Sequence, residues 1–500
     1  MVQMIKSFEK KPENFESAIS KAGYGKFNIY LLLICGGCLM TVIMETMGMM
    51  FVIPSAECDL QLDLFLKSVL ASISFLGVVL SSHLWGFLAD TKGRRKVLLL
   101  SMIVGFLSSL ASSIAPNAEL FIILRFINGF FIGGASAVIY AYIGEFHNQR
   151  FRPKVVAWIA TFVALGNIVL PFLSWLIIPL DLDLKFLGVE VKPWRLLVAS
   201  FGAPSLIWAI GLYCFPESPK YLMAQGNSDE AFEAIKTIYS VNTGKSKENF
   251  PVSDLILDEI PMEKDKKNGI FKTIWSQTAP LFKKPYLTKT LMVCFLQFGT
   301  FASSSGLFMW YPEILNRIEQ YPFQDITCTA LSYGNIEEDD SICFDSMNES
   351  VYIPSIIIGG ALAVLYIISG TIINRLGAKN LLIIILGVSA GCGIASQYIK
   401  IDSWSKILMG IFLLSSAGVG IINTITVELY PTQLRGMALA ISLMAGRFGA
   451  VAGSNVTGQL VYKVCEYTFY VFAADHIVLI IVTFLLPAAS KLRPMIEPIT

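Results

Sequence analysis

The sequence predicts an all-α membrane protein, with twelve transmembrane helices in two pseudo-symmetric six-helix halves. Three observations carry this. Of the 500 residues, 54% are apolar and only 15% charged, against about a quarter charged in an ordinary soluble chain. Twelve apolar stretches each approach the ~20 residues of helix that cross a bilayer. They run roughly 28–54, 66–88, 97–115, 118–142, 155–180, 194–215, 288–311, 352–374, 380–398, 405–427, 437–462 and 467–487. Two motifs also recur at almost one offset. Glu145 and Arg152, seven apart, return as Glu428 and Arg435 after 283 residues, and Gly86, Asp90 and Gly93 return as Gly370, Asn374 and Gly377 after 284. Parallel repeats of this kind set a cavity between two halves near the bilayer midplane.

An even number of spans puts both chain ends on one side, and basic residues decide which side. The segments on the terminus-bearing side hold 28 of the 38 lysines and arginines, the opposite loops hold 8, and Arg125 and Arg447 lie within spans. Both termini are therefore expected in the cytoplasm. The expected organisation is a cytoplasmic segment 1–27, an N-terminal half 28–215, a cytoplasmic linker 216–287, a C-terminal half 288–487 and a tail 488–500. Residues 1–27 carry Lys6, Lys10, Lys11, Lys21 and Lys26 without a cleavable apolar core, so span 1 is expected to be retained. Helix-period stretches such as Ala231-Phe232-Glu233-Ala234-Ile235-Lys236 predict short amphipathic helices in the linker, with disorder in part of 242–268.

Most of the nine cysteines (Cys35, Cys38, Cys214, Cys294 and Cys392 among them) fall in spans, where they read as small apolar filler. No metal-ligand spacing is present. The long exterior loop 312–351 holds Cys328 and Cys343, which an oxidising compartment would let pair, with Cys58 a third candidate. It also holds the acidic run Glu337-Glu338-Asp339-Asp340 and the sequon Asn348-Glu349-Ser350. Asn348 is on the correct side for glycosylation, whereas the sequon at Asn455 lies inside span 11.

Between spans 2 and 3 stands Trp85-Gly86-Phe87-Leu88-Ala89-Asp90-Thr91-Lys92-Gly93-Arg94-Arg95-Lys96. The glycines permit a tight turn, and Arg94, Arg95 and Lys96 hold it in the cytoplasm. This run resembles the signature loop of the major facilitator superfamily, which implies the major facilitator fold, secondary transport and a gating role for Asp90. In the second copy Asn374 replaces the acid, and Ala378 and Lys379 replace the arginines, so a weaker gate is expected there. Val427-Glu428-Leu429-Tyr430-Pro431-Thr432-Gln433-Leu434-Arg435-Gly436 and Pro216-Glu217-Ser218-Pro219-Lys220-Tyr221-Leu222 resemble the sugar and organic-ion carrier branch. Glu145 with Arg152, and Glu428 with Arg435, are read as cytoplasmic gate pairs that form in one conformation and break in the other; helix capping is the plainer alternative. Phe51-Val52-Ile53-Pro54-Ser55-Ala56-Glu57-Cys58-Asp59-Leu60 and Phe131-Ile132-Gly133-Gly134-Ala135-Ser136 are similar to synaptic vesicle glycoprotein 2 and its relatives over spans 1–11. The repeat-rich exterior loop of that family is absent and its Pro-Glu-Thr ending becomes Pro487-Ala488-Ala489-Ser490, which marks a divergent member.

Ionisable residues at membrane depth are costly and mark a pathway or a partner. Glu45, nine residues before Pro54, is read as the one acid deep in a span: a proton or cation site, or a neutral carboxyl tying helices together. Arg447 in Ala445-Gly446-Arg447-Phe448-Gly449 could face Glu45, bind an anion bidentately or snorkel to the cytoplasm. Arg125, with Asn128 one turn on, is read equally as helix packing and as substrate contact. Asn167, Gln297, Trp310 and Asn423 are expected to line the cavity. His83 and His476 read as hydrogen-bonded filler.

These readings favour a carrier of a small organic solute, an organic ion or a sugar-like molecule, working by alternating access and coupled to protons through Glu45. No phosphate-cradling Gly-x-x-x-x-Gly-Lys-Ser/Thr, catalytic constellation or cofactor fingerprint is present, and no basic soluble domain for nucleic acid. The expected partners are the solute, protons and the bilayer, with a monomeric transport unit, in the plasma membrane or a vesicle membrane. The alternative is a non-transporting binding or trafficking protein that keeps the carrier fold.

Overall fold

The computed structural model describes residues 11–182, 185–186, 189–256, 278–320, 328, 347–399 and 403–487. A strand β1 (Lys11–Asn14) and a helix α1 (Phe15–Ala22) precede the first crossing, which is broken into α2 (Lys26–Met47) and α3 (Met49–Leu60). Then follow α4 (Leu64–Lys92), α5 (Arg94–Ser113), α6 (Ala118–Glu145), the pair α7 (Arg152–Ile159) and α8 (Thr161–Ile177), and α9 (Pro193–Tyr213). Short strands β2 (Lys185–Phe186) and β3 (Val189–Glu190) form a hairpin before α9. The linker contributes α10 (Pro219–Ala224), α11 (Ser228–Thr243) and β4 (Val252–Ile256). The second half consists of α12 (Leu287–Gln320), α13 (Tyr352–Leu376), α14 (Ala378–Ala395), α15 (Ser403–Leu413) with α16 (Gly418–Leu429), α17 (Thr432–Lys463) and α18 (Cys465–Leu485). Twelve helical segments are long and apolar enough to cross a membrane, one for each expected span.

Local sequence explains the ends of these helices. Asp63 and Asn117 cap α4 and α6 by accepting the amides of Leu66 (2.7 Å) and Leu120 (3.0 Å), as short polar N-caps do. At the other ends the repeat becomes visible as geometry. Gly93 closes α4 at φ +108° and Gly377 closes α13 at φ +80°, a backbone region that costs a residue with a Cβ. The first crossing breaks at Gly48, where the Phe201 ring presses against the backbone too closely for a side chain. Pro54, the residue that suggests a break from sequence, sits inside α3 instead.

The end at which α2 begins and α18 finishes carries the linker and is called the linker end; the other is the distal end. At the linker end β1 pairs in parallel with β4. Phe15, Ala18, Ile19 and Ala22 of α1 bury against Phe232, Ile235, Phe250, Val252 and Leu255. Asn242 of α11 accepts the amide of Phe27 (2.9 Å) and donates to the carbonyl of Gly23 (2.9 Å). Within 242–268, where disorder is expected in part, residues 242–256 pack against α1 through Phe250, Val252 and Leu255. Residues 257–268 lie outside the described residues.

One covalent expectation is corrected. Cys328 is joined to Cys465 at the start of α18, with Cα atoms 5.4 Å apart, and not to Cys343, which lies outside the described residues. Cys58 is also disulfide-bonded. The sequence reading weighed Cys343 and Cys58 and missed Cys465, which the fold brings beside Cys328 at the start of α18. Peptide mapping of the unreduced protein should recover Cys328 linked to Cys465; a peptide linking Cys328 to Cys343 would contradict the structure.

Candidate functional site

The deepest charges form an ion pair inside the N-terminal half. Glu45, near the end of α2, and Arg125, two turns into α6, are both fully buried, with Nη1 to Oε2 2.9 Å. The second guanidinium nitrogen donates to Ser109 Oγ of α5 (3.3 Å), and Oε1 of Glu45 has no hydrogen-bond partner among the described residues. Asn128, one turn from Arg125, donates to the carbonyl of Gly105 (3.0 Å) and to Ser108 Oγ (3.2 Å). Gly202 of α9 packs against Ser109 and Glu45, leaving no room for a Cβ. Three helices and a glycine contact therefore hold one carboxylate and one guanidinium away from water. Arg447 does not face Glu45, so that expectation is corrected: Arg125 is nearer and satisfies the charge.

Arg447, midway along α17, reaches across to the other half. It donates to Ser82 Oγ of α4 (2.7 Å) and to Ser136 Oγ of α6 (3.2 Å), and Tyr140 of α6 lies within its electrostatic reach. Among the described residues no carboxylate makes an ion pair with it. Hydroxyl oxygens satisfy part of a guanidinium but leave its charge uncompensated.

A third cluster, not anticipated from sequence, joins the halves at the distal end. Lys67 of α4 is 2% exposed; its Nζ lies 2.5 Å from Glu57 of α3 and 3.6 Å from Glu313 of α12. It donates to the Tyr462 hydroxyl of α17 (3.2 Å), which itself donates to Glu313 (2.7 Å). Arg317 donates to Glu313 (2.9 Å) and stacks over the Tyr462 ring. Two acids and two bases here balance, which permits burial. Asn455 of α17 adds a bond to Ser72 of α4 (2.9 Å), and the rings of Phe51 and Tyr352 stack. The only sequence signal was Lys67 and Glu313 falling at the edges of apolar spans.

At the linker end the expected gate residues sit within their own halves. Arg94 of α5 pairs with Asp90 (2.9 Å) and with Glu145 (3.2 Å), and Ser218 donates to Glu145. Glu217 accepts the amides of Arg95 and Ser218 (2.9 Å each) and packs against the Cα of Gly93. Gly86 lies in the last third of α4 with open space at its Cα. Arg95 donates to the carbonyls of Leu212 (3.4 Å) and Tyr213 (2.5 Å). Arg152 does not pair with Glu145: the chain turns over 146–151, and Arg152 meets Glu16 of α1 (2.8 Å) and the carbonyls of Gly144 (2.9 Å) and His147 (3.0 Å). In the second copy Glu428 is exposed and makes no ion pair among the described residues, and Arg435 donates to the carbonyl of Tyr430 (2.9 Å). A cavity of about 700 Å³ lies at this end between Arg95, Lys96 and Glu217 on one side and Glu230 and Glu233 of α11 on the other. Its walls mix both signs of charge and do not include Arg447.

The remaining expected cavity residues divide. Gln297 of α12 donates to Asn423 of α16 (3.1 Å). Trp310 is 1% exposed and donates to the carbonyl of Ser454 (2.7 Å), which makes it helix packing rather than cavity lining. Asn167 donates one turn back to Val163 (3.2 Å), and its backbone abuts Gly359 of α13. Asp475 of α18 is a second acid deep in a span; the reading of Glu45 as the one such acid is therefore wrong.

The model of the Major Facilitator Superfamily matches residues 34–454. Synaptic vesicle glycoprotein 2B of Homo sapiens is 27% identical over 348 residues, 65% of this chain and 50% of that protein. Synaptic vesicle glycoprotein 2A of Rattus norvegicus is 29% identical over 339 residues, 63% and 45% respectively. The chain spans about half the length of these relatives. Among solved structures, the xylose transporter XylE from E. coli in a partially occluded inward open conformation superposes with a TM-score of 0.67 at 16% identity, covering 93% of this chain and all of the other. The nucleoside transporter NupG gives 0.59 at 14% identity, with 94% and 99% coverage. At these identities the two structures establish the fold alone.

Two outcomes follow from the loop geometry. Gly93→Ala should lower stability by about 1–3 kcal/mol, the cost of a Cβ at positive φ, with an added clash against Glu217; thermal unfolding of the purified protein measures it. Asn348 is exposed, so Asn348→Gln should abolish a mobility shift on glycosidase treatment of protein made in a secretory host.

Proposed function

Since the chain belongs to the Major Facilitator Superfamily, we propose that it is a secondary transporter moving a small organic solute by alternating access, with its linker end in the cytoplasm. The observation that carries this is the uneven placement of bonds between the halves. Among the described residues, polar bonds from one half to the other run from Arg447 at mid-depth to Lys67, Glu313 and Tyr462 at the distal end. The charge clusters at the linker end are each internal to one half. This is the pattern of a carrier closed to the exterior and free to part on the cytoplasmic side. Reversal requires the Lys67–Glu313–Tyr462 cluster to open and linker-end groups to meet.

Proton coupling is assigned to Glu45. A proton added to its carboxylate removes the attraction to Arg125 and releases the guanidinium, which loosens α2 from α6 beside the break at Gly48. The low polarity around the pair makes that change worth far more than at a surface. For the cargo, Glu45 is already neutralised by Arg125, whereas Arg447 at mid-depth has no acid partner among the described residues. An organic anion supplies the missing charge, so among organic cations, organic anions and sugars the geometry favours the anion. Asn374, Ala378 and Lys379 in place of the second loop's acid and arginines favour a second reading, a membrane binding or trafficking protein that has lost transport.

Uptake into proteoliposomes, with and without an inward proton gradient, separates these. Organic anion uptake driven by the gradient is expected, abolished by Glu45→Gln. Arg447→Gln should cut it about tenfold or more, the loss of a charge-assisted contact of ~1.5–3 kcal/mol. Uptake indifferent to gradient and to Glu45→Gln would leave a facilitator without proton coupling. No uptake of any class by folded protein would favour the trafficking reading.

A further inference from the structure

Asp475 lies ten residues into the 21-residue α18, half-way through the crossing. Its Oδ1 rests against the backbone of α12 at Gly299, where a Cβ would come within 2.9 Å, and its Oδ2 has no hydrogen-bond partner among the described residues. The hydroxyl of Ser303, one turn along α12, lies beside Asp475 and donates to the carbonyl of Gly299 (2.9 Å). The same hydroxyl lies 3.0 Å from Nε2 of His476. His476 is fully buried, its ring stacked on Phe412 at 4.9 Å, and its Nδ1 has no partner among the described residues. One serine thus bonds an imidazole and stands beside a carboxyl at the midplane of the C-terminal half, each of the two with an unspent polar atom.

Among the described residues no base pairs with Asp475. The titratable groups on the helices packed around α18 are Lys289, Cys294, Tyr311, Glu313, Arg317 and Glu319 of α12, Lys379 and Cys392 of α14, Lys406 of α15, and Arg435, Arg447, Tyr462 and Lys463 of α17. Tyr311, Glu313, Arg317, Glu319 and Tyr462 lie toward the distal end, and Lys289 and Arg435 toward the linker end. Lys379 sits at the linker end bonded to the carbonyl of Leu486, and Lys406 pairs with Glu319. Arg447 is turned to the other half and Lys463 closes α17 at the distal end. On α18 itself Glu466, Tyr467 and Tyr470 lie in the first two turns at the distal end. A carboxylate left charged at this depth costs about 2.5–3.5 kcal/mol or more. Taking up a proton removes that cost.

We propose that Asp475, with Ser303 and His476, is a second proton-binding site, located in the C-terminal half and separate from Glu45 and Arg125. The step is the transfer of one proton from hydronium to the Asp475 carboxylate, which forms one O–H bond there and leaves water, with Ser303 and the His476 imidazole beside the carboxyl. The site bears on transport through α12, which carries Ser303 and, ten residues on, Glu313 of the distal cluster. Charge on Asp475 therefore acts on the helix that closes the distal end.

Infrared difference titration of the purified full-length protein tests this without any cargo, so it stands apart from the carrier reading. Among the titrating carboxyl stretches of the wild type, one is expected to be lost in Glu45→Gln and another in Asp475→Asn. Asp475→Glu should keep the second band at a shifted position, and Ser303→Ala should displace its midpoint. A spectrum unchanged by Asp475→Asn and by Asp475→Glu would overturn the site. Repeating the titration with sodium replaced by choline identifies the ligand: an unchanged midpoint is expected, and a sodium-dependent one would overturn the proton as what binds.

Discussion

A charge inside a bilayer must find a partner or be neutralised, and that constraint organises this protein. Glu45 has Arg125, Asp59 has Arg195 (2.8 Å), and Lys67 and Arg317 balance Glu57 and Glu313. The pairings Glu45–Arg125, Asp59–Arg195 and Lys67–Glu313 join helices far apart in sequence, so satisfying the charge there also fixes which helices touch. Only two charges at mid-depth lack an opposite charge among the described residues, Arg447 between the halves and Asp475 within the second half. They are the positions where a solute or a proton has something to offer.

The two halves repeat a design without repeating its chemistry. Gly93 and Gly377 close corresponding helices at positive φ. Around Gly93 the first half builds a dense cluster, with Glu217, Arg94, Glu145 and Ser218 meeting in one place. The first half is braced further by β1, β4 and α1, anchored through Glu16 to Arg152. Around Gly377 the corresponding acid and arginines are gone, leaving Lys379 on a backbone carbonyl. Among the described residues the first half therefore has the denser polar bracing at the linker end, and the second half the sparser.

Much of this was legible in the sequence because hydropathy and turn chemistry are local. The twelve spans, the glycine-closed loop and the repeat all follow from residues close together in the chain. Partner choice is not local. Arg152 was paired by spacing with Glu145, but a turn over 146–151 sends it to Glu16. Lys67, Glu313 and Tyr462 lie hundreds of residues apart, and only the packing of α4, α12 and α17 brings them together. Asp475 was passed over within an apolar run, and Cys465 was overlooked because its partner comes from another loop.

The distal cluster joins the two halves through Lys67, Glu313 and Tyr462, and in the proposed cycle it must open. The most direct test is a distance distribution between spin labels at exposed distal positions, one at Phe65 of α4 and one at Tyr467 of α18, with the exposed Cys214 replaced by serine. A short, dominant distance is expected in the otherwise native protein and a shift toward a longer one in Lys67→Gln, which removes the charge shared by Glu57 and Glu313. An unchanged distribution in folded Lys67→Gln protein would contradict it.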